Sequence, residues 1–457
     1  MQTRLAVRVR SRTMRILPVI AWFLLALAVS GVFSHEERKP TLILISFDGF
    51  RWDYLRKVPT HTLSWLAKYG VNSSVVNNFV TRTFPNHYSI VTGQYEENHG
   101  IINNVMWDPV YHEKFTPSTV DPKWFNASEP IWITNQKQGN GRLSAVINWV
   151  GGAVPIHGRR ANFSPPFNSS IPFKARMDLV LQQLERNPPA NFVAVYFDEP
   201  DASGHKYGPN SKQVAKAIQN LDNVTGYLVE ELKKRHLLNQ VNIILTSDHG
   251  MADVNSSKFV FLDDYISNDT YTLVDSAVNS FIIPHEGEKQ NIYKNLSKAP
   301  HITTFYKEDI PKYWHYANNR RVTQIFVTSE LGYRIARNVK DVDNDLGNHG
   351  YNNSIKEMHP FFIAYGPVFK QGYQSEPFSI VHIYSLMCYI LGVTPAPNDG
   401  NLKAVSQMLR SKSNPSKYAL FISMMVVAGL LVIMMVYGVC VRKRSPRHFR
   451  SIPYEEA

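Results

Sequence analysis

In Thr81-Arg82-Thr83-Phe84-Pro85-Asn86-His87-Tyr88 a hydroxyl stands at what reads as a helix start, in a chain whose aspartates and histidines recur at metal-ligand spacings. Pro85 suits the first turn of a helix, where its missing N–H costs nothing, and the free amides there attract anions such as a phosphoryl group. A threonine hydroxyl is a poor nucleophile at neutral pH, and coordination to a metal is one of the few ways to activate it. Thr83 therefore reads as a metal-activated nucleophile, provided the chain supplies ligands.

Three β-rich apolar runs supply them. Thr41 to Phe47 ends in Asp48-Gly49; Asn191 to Phe197 leads into Asp198-Glu199-Pro200-Asp201 and on to His205; Val241 to Thr246 ends in Ser247-Asp248-His249-Gly250. Each run predicts a central strand, and open α/β folds build their sites at the carboxyl edge of such strands. Asp201 and His205 are four residues apart, close enough to hold one ion, and Asp248-His249 offers an oxygen beside a nitrogen. Mixed Asp/His sets suit Zn²⁺, whereas an all-oxygen set points to Mg²⁺ or Ca²⁺. Singly, each piece has a bland alternative: an Asp at a strand end is often a turn former, and a DxxxH pair is often solvated. Three such pieces, each after an apolar strand, are harder to dismiss.

Taken in order, the run from Ile45 to Phe50 with TRTFPNHYSIVTG, EPDASGHKYGP, TSDHGM and GNHGYNN resembles the ectonucleotide pyrophosphatase/phosphodiesterase family of the alkaline phosphatase superfamily, over essentially everything from Lys39 to about Gly400. The resemblance implies an α/β fold, an alkaline-phosphatase-like doubly wound sheet with helices on both faces, and two Zn²⁺ ions a few ångströms apart. By matching motif positions it implies that Asp201, His205 and His349 hold one zinc, and that Asp48, Asp248 and His249 hold the other together with Thr83. Asn104, with Asn103 one register step away, matches the asparagine that hydrogen-bonds the phosphoryl oxygen. Phe84 and Phe167 match positions whose rings sandwich the nucleobase, the second usually a tyrosine; for a lone Phe, core packing is the ordinary alternative.

Most of the sixteen histidines cannot be ligands. The resemblance places the third nitrogen at His349, so His359 in Met358-His359-Pro360 reads as structural. His87 and His99 flank the nucleophile and read as backbone-orienting groups, and His382 as a packing residue in a helix expected from Phe378 to Leu391. Asp341, Asp343 and Asp345 mimic the start of a calcium loop, but Leu346 replaces its glycine and Asn352 its final glutamate, so that reading fails.

Five arginines up to Arg15 precede an apolar run from Ile16 to Phe33, which reads as a signal peptide over residues 1–34, cleaved after Ser30 or Ser34, or else retained as an anchor. The catalytic ectodomain is expected over 35–410, a stalk over 411–417, an uncharged membrane helix over 418–441 and a basic cytoplasmic tail over 442–457. This predicts a single-pass type I plasma-membrane protein with its catalytic domain outside. The net charge is +12, but the first 34 residues carry +5 of it and the tail +3, leaving an ordinary +4 for the rest. With no basic run or interleaved aromatics, no nucleic-acid polymer is expected as partner. Of only two cysteines, Cys388 and Cys440, the second falls in the expected membrane segment, so the domain must stand without a disulfide. This, and the absence of cysteine-rich modules, aligns the chain with short anchored forms resembling types 4 and 5. Nine glycosylation sequons occur, at Asn72, Asn126, Asn162, Asn168, Asn223, Asn255, Asn268, Asn295 and Asn352.

Together these features lead to the expectation of a zinc-dependent hydrolase that cleaves extracellular nucleotides such as ADP, ATP, dinucleoside polyphosphates or NAD to nucleoside 5′-monophosphates. Two rivals stand beside it: a phosphodiesterase releasing choline headgroups from lipids, and a catalytically weak surface receptor on an inherited scaffold.

Overall fold

The structure, a computed structural model, describes residues 39–411 apart from Ser256, and a few helical positions between 424 and 436. The expected signal segment and cytoplasmic tail lie outside the described residues, as does most of the expected stalk and membrane span. Among the described residues no helix is long and apolar enough to cross a membrane. The compact unit that carries the sheet ends at Leu409, and Arg410 begins a second.

Seven strands form the path of the main sheet: β1 (Thr41–Phe47), β2 (Val71–Val76), β3 (Ser144–Ile147), β4 (Phe192–Phe197), β5 (Val241–Thr246), β6 (Phe361–Tyr365) and β7 (Tyr373–Gln374). Their order is β7-β2-β6-β5-β1-β4-β3, with Phe378–Ser379 adding an eighth, short strand against β2. Strands β3, β4, β1 and β5 are mutually parallel, while β6 runs antiparallel between β5 and β2. Every residue of β1, β4 and β5 is buried, as unbroken apolar runs covered on both faces require. Leu42 and Leu44 pack into the core of one face, and Ile43, Ile45 and Phe47 into that of the other.

Helices cover both faces. The second core is closed by α1 (Thr62–Tyr69), α3 (Phe173–Glu185) and α5 (Lys212–Lys234), and the first by α2 (Thr83–Thr92) and α6 (His382–Leu391). Helix α5 buries Val214, Ile218, Leu221 and Leu228 along one stripe, and Ser211 caps its start by accepting from the Val214 N–H at 3.2 Å.

Register sets the level at which the chain leaves the sheet. Phe47 lies opposite Phe197 on β4, and Ser46 opposite Thr246 on β5. The residues after β1, β4 and β5 therefore emerge together at one edge.

Three features differ from expectation. The sheet is mixed, because β6 enters antiparallel. A separate antiparallel sheet of Tyr271–Ser276, Asn279–Pro284, Ile325–Ser329 and Ile302–Tyr306, in that order, has a small core of its own. The helix expected from Phe378 begins only at His382, since Phe378 and Ser379 pair with Val75 and Val76.

Candidate active site

At the carboxyl edge of the sheet two groups of side chains converge: Asp48, Asp248 and His249, all buried, and Asp201, His205 and His349. Within each group, one ligand atom from every residue lies within 4.8 Å of the others. Asp48 follows β1, and Gly49 beyond it has a φ of +68° and sits so close to Asp201 that a Cβ would lie 2.9 Å from the Asp201 Cβ. Only glycine lets the two turns meet there, which brings the Asp201 N–H to the Asp48 carbonyl at 3.0 Å. Asp201 opens the short helix α4 (Asp201–Tyr207), so His205 lies one turn on along the same face.

The protein's own hydrogen bonds orient each histidine the same way. Nδ1 of His249 donates to the Gly250 carbonyl at 2.8 Å, Nδ1 of His349 to the Thr81 carbonyl at 2.8 Å, and Nδ1 of His205 to the Asp345 carboxylate at 3.0 Å. A carbonyl or carboxylate can only accept, so each Nδ1 carries a proton, and in the neutral ring Nε2 is the nitrogen that offers a lone pair. Those nitrogens face carboxylate oxygens, His249 Nε2 at 2.9 Å from Asp248 and both His205 and His349 Nε2 at 3.6 Å from Asp201. The His249 and His349 rings stack with centroids 3.5 Å apart, joining the two groups.

One oxygen each of Asp48, Asp201 and Asp248 is buried without a hydrogen-bond partner. Lone pairs facing unpartnered carboxylate oxygens in a buried site call for cations, and this donor set fits zinc. The other oxygens of Asp48 and Asp248 are held by protein donors: the Tyr196 hydroxyl donates to Asp48 at 2.6 Å, and the Gly49 N–H and Ser247 hydroxyl donate to Asp248 at 3.2 and 3.0 Å. Burial, then the Asp248 and Asp201 charges, pushes the Asp48 carboxyl well above its ordinary range. Burial opposes ionisation of Asp248 too, but His249 and His87 hold it well below that range. His349 is held well below the usual imidazole range by burial and then by His249 and His205.

Thr83 is the first residue of α2, and its hydroxyl lies 3.3 Å from His249 Nε2. The Phe84 N–H donates to Asn104 Oδ1 at 2.8 Å, which ties Asn104 to the first turn of α2 next to Thr83 in sequence. Asn103 is instead buried and donates to Asp275 and the Val105 carbonyl. Beneath the threonine, His87 donates from Nδ1 to the Thr83 carbonyl at 2.9 Å and accepts from the Ser46 hydroxyl at 2.8 Å. His99 exchanges hydrogen bonds with Ser89 and the Ile101 N–H. His359 donates to the Asn353 carbonyl, in neither ligand group.

Beside Thr83 opens a cavity of about 190 Å³, smaller than the roughly 300–1,000 Å³ of drug-sized pockets and on the scale of a ring system. Phe84, Trp149, Pro166, Phe167 and Tyr196 are among its walls. Phe84 packs edge-on to Phe115, whereas Phe167 is 60% exposed and so is no core residue. Asn148, after β3, holds the Phe167 segment through reciprocal bonds with the Asn168 backbone at 2.8 and 3.0 Å.

Similarity to known proteins agrees with this geometry. Residues 42–352 match the family described as type I phosphodiesterase/nucleotide pyrophosphatase. The chain is 40% identical to the human bis(5′-adenosyl)-triphosphatase ENPP4, over 93% of this chain and 94% of that one, and 39% identical to human ectonucleotide pyrophosphatase/phosphodiesterase family member 5, over 86% and 83%. A solved structure of murine family member 5, an inactive threonine-to-alanine variant in complex with AMP, is 39% identical, with a TM-score of 0.79 over 81% of this chain and all of that one.

The chain belongs to the type I phosphodiesterase/nucleotide pyrophosphatase family. The chain is accordingly a hydrolase of a family named for phosphodiesterase and nucleotide pyrophosphatase activity. The family's mixed α/β domain is the fold seen here. Tyr196 and Asn148 escaped the sequence reading and Asp345 entered it only within a failed calcium loop, whereas His87, read as a backbone-orienting group, does bond the Thr83 carbonyl. Tyr196 is the penultimate residue of a strand, which placed it near the site, but nothing local marks Asn148 or Asp345.

Proposed function

We propose that the protein is a zinc-dependent ectoenzyme that hydrolyses phosphoanhydride or phosphodiester bonds of extracellular nucleotides, leaving nucleoside 5′-monophosphates, with Thr83 as nucleophile. The observation that carries this reading is the Thr83 hydroxyl at a helix start, 3.3 Å from His249 Nε2 in one of two converging Asp/His groups, with a ring-sized cavity beside it. Asp201, His205 and His349 would hold one zinc, and Asp48, Asp248 and His249 the other. Bound zinc would lower the pKa of the threonine hydroxyl and offset the charge that develops on the phosphoryl oxygens.

The chain's own residues then position the reaction. The Asn104 amide nitrogen donates to a phosphoryl oxygen, and Phe84 and Phe167 hold the base. Thr83 Oγ1 bonds to phosphorus as the bond to the leaving phosphate or alcohol oxygen breaks, and water next cleaves the threonine ester, restoring the hydroxyl. A relative inactivated by a threonine-to-alanine change and bound to AMP supports both the residue type and the product class. Substrates in range are ADP, ATP, NAD and dinucleoside polyphosphates, the last favoured by the name of the human relative that is a bis(5′-adenosyl)-triphosphatase.

The domain is further proposed to face outward on a type I plasma-membrane protein carrying N-glycans. Asn126, Asn162, Asn168, Asn223, Asn255 and Asn268 are exposed and Asn72, Asn295 and Asn352 half-buried, so none is sealed in the core. Product analysis over a nucleotide panel tests the catalytic reading. Release of nucleoside 5′-monophosphate with zinc-dependent turnover supports it; preferential cleavage of a phosphocholine ester over every nucleotide overturns it.

A further inference from the structure

We propose that Asp345 is a positioning residue for the metal centre, the group that fixes His205 with Nε2 bare toward Asp201 and His349. This rests on the zinc reading above. Asp345 belongs to the acidic stretch that imitates a calcium loop and fails as one, and in the folded chain its carboxylate accepts a hydrogen bond from His205 Nδ1 at 3.0 Å. His249 and His349 donate from Nδ1 to backbone carbonyls; His205 alone of the three depends on a side chain 140 residues away.

Asp345 is itself held. Arg334, fully buried, ion-pairs with Asp343 and donates to the Asp345 carbonyl at 3.3 Å. The Asp345 N–H donates to Asp343 at 2.9 Å, and the Leu346 N–H to the His205 carbonyl at 2.7 Å. Arg334 thus anchors a loop whose backbone and carboxylate both grip the ligand helix. Asp345 is one-third exposed, where an isolated ion pair is worth little to stability. Its contribution lies in tautomer and ring orientation, because carboxylate partners of ligating histidines typically change metal affinity about 10–100-fold when mutated.

The test measures zinc affinity of the full-length chain by competition with chelators of graded strength, alongside the absorption spectrum of the Co²⁺-loaded protein. Asp345→Asn keeps shape and loses charge; it is expected to weaken one of two zinc ions about 10–100-fold, to leave the other unchanged and to alter the Co²⁺ bands. Asp345→Glu, which retains the carboxylate, is expected to recover most of that affinity. A wild-type chain holding two ions and an Asp345→Asn variant equal to it in affinity and spectrum would overturn this inference alone. A wild-type chain holding fewer than two would overturn the metal reading and this inference with it.

Discussion

Thr83 and the histidines around it can be separated by what each removal leaves behind. Six other side chains make up the two Asp/His groups, so Thr83→Ala is expected to retain both metals while turnover falls by orders of magnitude. Thr83→Ser keeps the hydroxyl, loses the methyl that restricts its rotamer, and should retain part of the activity. Two successive displacements give net retention at a chiral phosphorothioate; inversion would mean direct attack by water and would sink the threonine mechanism. His349 and His359 supply a second contrast. His349→Ala removes a bare Nε2 facing Asp201 and should lower zinc content and abolish turnover, whereas His359→Ala loses a bond to the Asn353 carbonyl and should leave zinc content unchanged. Phe167→Ala should weaken nucleotide binding by about 1–3 kcal/mol, the scale of base–aromatic stacking. Small aryl phosphate esters should suffer less, and equal losses would rule out stacking.

Among the elements, the turn after β5 is the most tightly constrained part of the site. A Cβ on Gly250 would lie 2.1 Å from the Glu357 carbonyl oxygen, which is backbone and cannot swing aside. The Gly250 N–H also donates to the Met358 carbonyl at 2.8 Å, tying the turn to the segment that enters β6. Gly250→Ala must therefore separate the two segments, at a cost of about 1–3 kcal/mol of the overpacking kind. Because Asp248 and His249 ride on that turn, zinc retention should fall together with the thermal midpoint. An unchanged midpoint with lost zinc would place the strain in the ligands alone.

Across the whole molecule, the described contacts of the site fall within the compact unit that ends at Leu409. A stop codon at Lys412 is accordingly expected to yield a soluble, active protein. In intact cells, protease should release an active fragment that shrinks on glycosidase treatment, and a C-terminal tail accessible from outside would reverse the proposed topology.

Local chemistry made part of this protein legible in the sequence alone. A short, β-branched, largely apolar run of six or seven residues reads as a covered strand, and a carboxylate after it stands near the strand's end; the same reasoning put Asp48 and Asp248 at one edge. Asp201 and His205 need only one turn of helix to share a face. What the sequence could not reveal depends on residues far apart in the chain. Tyr196 reaches Asp48 across 148 positions and Asp345 reaches His205 across 140, and neither side chain carries a local sign of its partner. The antiparallel entry of β6, the second sheet and the late start of α6 were likewise decided by pairing. Phe378 and Ser379 have no local reason to leave a helical pattern, but β2 offers unpaired backbone donors and acceptors, and satisfying these outweighs one more turn of helix.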